Sequence, residues 1–338
     1  MGSFQTIDVL GVGNAIVDVI SAGTDESLTM LGLEKGAMRL VDESQSEALY
    51  AAMGPALEVS GGSVCNSLAA LCSLGGSAGL IAKVADDTLG RFFTHDMRAS
   101  GVRFDAPVLR EGPATGRCLI QVTPDGERTM ATYLGASVEL DQDDVEDCAD
   151  LFGAARLVFF DGYLLDRART RSAVAASVRL AREAGRPIAT SLGDVRCVER
   201  NHAAFLELIQ DVSLLFANEN EMRALAGPEG TVSDWLSRIA RPGLTAVVTR
   251  GADGSSVLHD GVVQDFPAAR PERLVDTTGA GDSFAAGYTY GWIRGWSPAE
   301  SARLGALVAA RIIAQTGARA QRPLSDLARE VSEAMVTA

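Results

Sequence analysis

Short apolar runs alternate with stretches of helical period through most of the chain. Segments 7–12, 77–84, 157–160, 187–192, 213–216 and 245–249 read as buried strands. The spacing between them predicts helices over 63–74, 88–100, 167–184, 202–210, 281–294 and 298–316. Strand–helix alternation of this kind builds an α/β fold, a mostly parallel sheet covered on both faces. Ligands in such sheets bind beyond the carboxyl ends of the strands, so Asn14, Asp161, Ser191, Asn218 and Gly251 are expected along one rim. One part breaks the alternation. Residues 117–122 and 127–133 flank Thr123-Pro124-Asp125-Gly126 and predict a β-hairpin, with 37–41 as a further strand beside it.

Composition narrows the class. The chain has 338 residues, 47% of them hydrophobic, which suits a packed globule. No apolar run reaches the roughly 18 residues that a membrane span requires. Residues 1–8 show no basic region followed by an apolar one, so no secretory leader is expected, and acylation at Gly2 is disfavoured in so acidic a chain. The five cysteines, Cys65, Cys72, Cys118, Cys148 and Cys197, are widely spaced and read as reduced thiols of a cytoplasmic protein. His95, His202 and His259 form no pair at metal spacing. A net charge of −14 disfavours nucleic acid as a partner. It leaves room for a nucleotide held by local amides. Lys35 precedes Gly36 and Lys83 precedes Val84, so the chain has no Gly-Lys-Ser/Thr phosphate loop.

The run Asp276-Thr277-Thr278-Gly279-Ala280-Gly281-Asp282-Ser283-Phe284 carries the chemistry. A turn of small residues opening a helix presents unpaired amides at the positive end of the helix dipole, which makes an anion site. Asp282 at its mouth would repel the anion unless it acts on the group that receives it. A phosphoryl cradle beside a base for an acceptor hydroxyl is the layout of a phosphotransferase. The plainer alternative is a glycine-rich cap with an acidic first turn. Gly11 and Gly13 after the first strand suggest a dinucleotide site, but Ile16 replaces the third glycine of that fingerprint. The acidic run 141–147 is expected to cap and solvate a short helix.

Several further segments, in order over nearly the whole chain, extend the pattern. Gly11 to Asp18, Gly61-Gly62-Ser63-Val64-Cys65-Asn66, Asn218-Glu219-Asn220-Glu221 and Thr249-Arg250-Gly251-Ala252-Asp253-Gly254 join the Asp276 to Phe284 run, with Gly287 after it. Together they resemble the signatures of the ribokinase-like (PfkB) carbohydrate kinase family. Val64 departs from the first signature, which usually has Gly, Ala or Pro there. The resemblance implies a three-layer α/β/α kinase domain over 1–338, with a small β-sheet lid formed by segments of about 15–42 and 112–135. A lid suits a kinase, which must exclude water to avoid hydrolysing ATP.

The same resemblance assigns roles. Asp282 is the expected base, and the amides of Gly279, Ala280 and Gly281 the anion hole. Asn14, Asp18, Gly61, Gly62 and Asn66 are expected to bind the acceptor, with Arg128 reaching the phosphates. Ser191, Asp194, Asn218, Thr249, Gly251 and Gly254 are expected at the ATP groove, and Asn218 and Glu221 around the water shell of Mg2+. A monovalent cation such as K+ sits near the residues matching Asp276 and Thr278 in some relatives. The look of Gly13 to Asp18, Lys35 to Asp42 and Thr115 to Cys118 favours adenosine as acceptor, with Ile16, Leu40, Leu134, Phe160 and Tyr163 offering surface for a base. A ribokinase- or fructokinase-type sugar kinase is the alternative within the family. A non-catalytic sugar or nucleotide sensor is the alternative outside it, disfavoured because a pure binder gains nothing from Asp282. Monomer and homodimer remain equally open.

Overall fold

The apolar strands bury opposite sides alternately. Val9, Leu157, Phe159, Leu214 and Phe216 enter one hydrophobic cluster, and Leu10, Val158, Phe160, Leu215 and Ala217 another. A sheet apolar on both faces must be covered on both, and it is. The computed structural model describes residues 6–105 and 108–337; residues 1–5, Gly2 among them, lie outside the described residues.

The first half of the chain supplies β1 (Ile7–Val12), β2 (Ile16–Ala22), β3 (Met38–Leu40), β4 (Ala56–Gly61), β5 (Ala78–Ile81), β6 (Val102–Arg103), β7 (Gly116–Val122) and β8 (Arg128–Tyr133). The second adds β9 (Ala155–Asp161), β10 (Ile188–Ser191), β11 (Leu214–Asn218), β12 (Thr245–Thr249), β13 (Ser255–His259) and β14 (Val262–Phe266). Nine of them form the large sheet in the order β14-β13-β12-β11-β10-β9-β1-β5-β6. It is parallel from β12 to β6, with an antiparallel hairpin, β13–β14, on one edge. The other five form a second sheet in the order β3-β8-β7-β2-β4.

Helices α1 (Asp25–Met30) and α2 (Glu43–Ala52) back the small sheet, where Leu28 and Leu49 meet Val17, Val19 and Leu119. On one face of the large sheet lie α3 (Ser63–Ser73) and α4 (Thr88–Ala99). The opposite face is covered by α5 (Gln142–Glu146), α6 (Ala149–Ala154), α7 (Ala168–Glu183), α8 (Val195–Arg200), α9 (His202–Leu208), α10 (Glu219–Ala226) and α11 (Val232–Ile239). Helices α12 (Ala280–Trp292) and α13 (Pro298–Ile312) return to the face of α3, and α14 (Ser325–Thr337) packs outside them. The three-layer α/β/α arrangement with a small second sheet is the expected one.

Some expectations change. The chain re-enters extended structure only three residues after β1, and β2, with Asp18 in its middle, joins the other sheet. β4 also belongs to the small sheet and lies outside both expected lid segments. The helix expected to reach 316 stops at Ile312, and the loop after it turns through Gly317. The acidic run behaves as expected: Asp141 caps α5 in a reciprocal pair with Asp144, which also holds Lys83 at 2.7 Å. Among the described residues no helix is long and apolar enough to cross a membrane.

One apolar cluster runs without a break from the small sheet into the large one. Phe93 of α4 sits inside it, fully buried and edge-on to Phe104 at 5.6 Å between ring centroids. Phe93→Ala is expected to cost about 3–5 kcal/mol of unfolding free energy in denaturant titration. A loss well below 1 kcal/mol would contradict this packing.

Candidate active site

The carboxyl ends of β1, β9, β10, β11 and β12 share one rim, and α12 begins beside it. Gly279 caps α12 with φ +70, and a Cβ there would stand 2.5 Å from that of Ala318, so only glycine fits. The Ala280 amide bonds back to Thr277 O at 3.2 Å, which closes the turn. The amides of Gly281 and Asp282 fall in the first helical turn, where the helix offers them no carbonyl. The Cα of Gly281 faces open space. The cradle thus has its open side at Gly281, and the Ala280 amide is engaged within the turn.

Asp282 is gripped from the far end of the chain. Ser63 Oγ donates to its Oδ1 at 2.6 Å and Asn66 Nδ2 to its Oδ2 at 2.9 Å, both from the first turns of α3. Ser67 Oγ donates to its backbone carbonyl at 3.0 Å. Burial pushes the Asp282 carboxyl up, and the bonds from Ser63 and Asn66 and the charge of Arg319 pull it back. Asn66, expected to bind the acceptor, spends its amide nitrogen on Asp282 and leaves its Oδ1 buried without a partner.

The β4–α3 turn explains the unusual residue of the first signature. Val64 is fully buried over Gly11 and Gly13, where an added Cβ would lie 2.6 and 2.7 Å from its side chain. The Gly-x-Gly pair therefore makes room for valine, not for a pyrophosphate. Gly62 has φ +96 and passes so close to Asn14 O that a Cβ would meet it at 2.2 Å. Asn14 Oδ1 is buried and unpaired. Asp18 lays its carboxylate against the Cα of Gly61.

Arg128, the first residue of β8, pairs with Asp276. Its Nη1 remains buried and unpaired. Asp276 also accepts from Thr278 N at 2.9 Å and Gly317 N at 2.7 Å. With a guanidinium and two amides around that carboxylate, the residues here do not fit a monovalent cation.

The nucleotide-side residues divide. Ser191, Asn218, Glu221 and Thr249 line one cavity of about 90 Å³ with Ser63, Gly281 and Asp282. Asn218 and Glu221 form a reciprocal cap on α10: Asn218 N and Nδ2 donate to Glu221 at 2.9 and 2.5 Å, and Glu221 N donates to Asn218 Oδ1 at 2.9 Å. Carboxylate oxygens accept more than one bond, so the pair fits outer-sphere contact with a hydrated cation. Asp194 is spent on capping α8, through Cys197 N at 2.7 Å. Gly251 and Gly254 frame the turn after β12, where a Cβ on Gly254 would meet Phe266 O at 2.0 Å. Phe159, Phe216 and Phe284 line the cavity and join Tyr288 in a chain of ring contacts from 5.8 to 6.3 Å, edge-on except for the stacked Phe284–Tyr288 pair. Ser63 lies inside the Gly61-to-Asn66 signature, which gives it no role, and Phe159, Phe216 and Tyr288 of this aromatic floor are marked by no motif. Single aromatic residues on separate elements leave no periodic signal.

The residues 42–324 match the pfkB family carbohydrate kinase model. The chain belongs to that family. Across the pfkB family, a probable sugar kinase of Rhizobium etli is 42% identical, covering 97% of this chain and 99% of its own, with a TM-score of 0.90. An adenosine kinase of Sinorhizobium meliloti is 43% identical over 96% of this chain and 99% of its own, with a TM-score of 0.89. A fructokinase of Klebsiella pneumoniae is 30% identical over 70% of this chain and 78% of its own. The pfkB kinases phosphorylate sugars or nucleosides, so this protein is an enzyme that transfers phosphoryl to an alcohol.

Burial pushes three further carboxyls, Asp18, Asp161 and Glu221, up to about 7. Neither oxygen of Asp161 has a well-formed hydrogen bond, although the amides of Val64, Tyr163 and Leu164 face it. A carboxyl that holds its proton more tightly when folded lowers stability as pH climbs from its unfolded value toward 7, and the loss levels off above. Between about pH 5 and about pH 8 the melting temperature of Asp161→Asn should fall less than that of the wild type. Equal slopes would show that Asp161 carries no such penalty.

Proposed function

We propose that this protein is an ATP-dependent adenosine kinase, transferring the γ-phosphoryl group to the primary hydroxyl of the nucleoside. The carrying observation is the setting of Asp18. On its face of the small sheet lie Ile16, Ile20, Cys118, Ile120, Met130 and Leu134, an apolar cluster with Asp18 and Arg128 as its charged members. A nucleoside offers a vicinal diol for one carboxylate and a flat, largely apolar base for such a surface. A free sugar presents hydroxyls on every side and leaves that surface unmatched. Leu40, exposed on β3, extends the same face, while Phe160 packs in the separate cluster under the helices on the opposite side of the large sheet. The full-length likeness to the Sinorhizobium meliloti adenosine kinase supports the same reading.

In this mechanism Asp18 fixes the diol with Asn14, and the small sheet closes over the acceptor to exclude water. Asp282, steadied by Ser63 and Asn66, takes the hydroxyl proton as the phosphoryl group moves. The amides at Gly279 and Gly281 face the charge that builds on the phosphoryl oxygens. Mg2+, ordered through water by Asn218 and Glu221, would neutralise the phosphates.

A sugar acceptor is the second reading, favoured by the fructokinase relative. Asp282→Asn should lower turnover by about 10² to 10⁴-fold while acceptor still binds. Near-wild-type turnover would remove Asp282 from the role of base. In side-by-side assays adenosine should give a higher kcat/KM than ribose or fructose. The reverse order would reassign the acceptor, and saturable binding without any turnover would favour a sensor.

A further inference from the structure

Arg319 follows α13 and reaches back under the acceptor site. Its Nε donates to Ser60 O at 2.9 Å, its Nη1 to Cys65 O at 2.6 Å and its Nη2 to Ser60 Oγ at 3.0 Å, with Met97 Sδ 3.3 Å from Nη2. Ser60 is the next-to-last residue of the small-sheet strand β4, just ahead of Gly61, and Cys65 lies in the first turn of α3. One planar fork therefore spans the Gly61-Gly62 turn and ties both of its ends. Ser60 is held a second time, by Asp96 of α4, which accepts from its amide at 2.9 Å and its hydroxyl at 2.5 Å.

All four partners of the guanidinium are neutral, so its charge is left to act on the carboxylates around it. These are Asp96 of α4, Asp18 of β2 and Asp282 of α12, with the Cys65 thiol beside them. Burial pushes Asp18 up, and Arg319 is the strongest pull the other way, ahead of Arg128 of β8. Asp282 itself also adds to the upward push on Asp18, on Asp161 of β9 and on Glu221 of α10, and with Asp161 and Glu221 on Tyr163. The site is therefore crowded with acids and has few cations to hold them charged.

We propose that Arg319 is a positioning residue for phosphoryl transfer, its guanidinium fixing the Ser60-to-Cys65 turn and setting a positive charge beside the acceptor-binding Asp18 and the base Asp282. The inference rests on the kinase reading above. Without the guanidinium, Asp18 and Asp282 protonate at higher pH, and activity near neutrality falls for a reason that alkali reverses. A role in holding the turn alone predicts a loss that is the same at every pH.

The test compares wild type, Arg319→Gln and Arg319→Lys by pH profile of kcat/KM, with kcat and acceptor KM resolved and melting temperature as the check on folding. Arg319→Gln should move the acid limb up by about one pH unit, costing about tenfold near neutrality and recovering in alkali. Arg319→Lys should leave the limb in place and raise the acceptor KM, because a point charge cannot bridge the turn. A Gln profile running parallel to wild type at every pH would overturn the proposal. If the Gln variant fails to fold, a shifted limb in the charge-retaining Lys variant would overturn it as well. The wild-type arm separates the two readings: a folded wild type that phosphorylates no acceptor defeats the kinase reading itself.

Discussion

The grip of Ser63 and Asn66 on Asp282 joins residues more than 200 positions apart, and the site exists only because that grip holds. It sets the first turn of α3 against the first turn of α12, so that a base and a bed of open amides share one cavity. Everything nearby serves the approach. Gly62 lets the chain turn tightly enough past Asn14 to start α3 in place, and Val64 locks that start over Gly11 and Gly13. Gly279 bends the other strand of chain into α12 against Ala318.

The second constraint is charge. Asp18, Asp161, Glu221 and Asp282 are all enclosed, and each is pushed toward its protonated form by burial. Proteins tolerate such crowding where function gains from it, since unmatched acids in a dry site favour whatever brings donors or positive charge. A diol, a hydrated divalent cation and a transferable proton are three such partners. The orphaned oxygens of Asn14, Asn66 and Asp161 and the orphaned nitrogen of Arg128 mark the same rim as unfinished without ligand.

Much of the large sheet was legible because its strands are uniformly apolar and its helices periodic. The small sheet was less so. β2 follows β1 after three residues, and β4 shows no apolar run at all, with Ala56, Leu57 and Glu58 exposed. β14, on the edge of the large sheet, is hidden for a similar reason, with Val262, Gln264 and Asp265 exposed. Around the site, short motifs singled out Asp282, Gly279 and the Asn218–Glu221 pair. They could not show that Asn66 serves Asp282, that Asp194 is a helix cap, or that Arg128 faces Asp276. Those are contacts between distant segments, and no local spacing encodes them. Arg319 was invisible for that reason too: one arginine in a loop gives no pattern until the fold brings Ser60 and Cys65 to it.

The most direct measurement is a crystal structure with a non-hydrolysable ATP analogue and adenosine together. The account predicts the terminal phosphate on the amides at Gly279 and Gly281, and the primary hydroxyl of the nucleoside hydrogen-bonded to Asp282. A triphosphate seated away from the start of α12, or a nucleoside whose hydroxyl points away from Asp282, would contradict it.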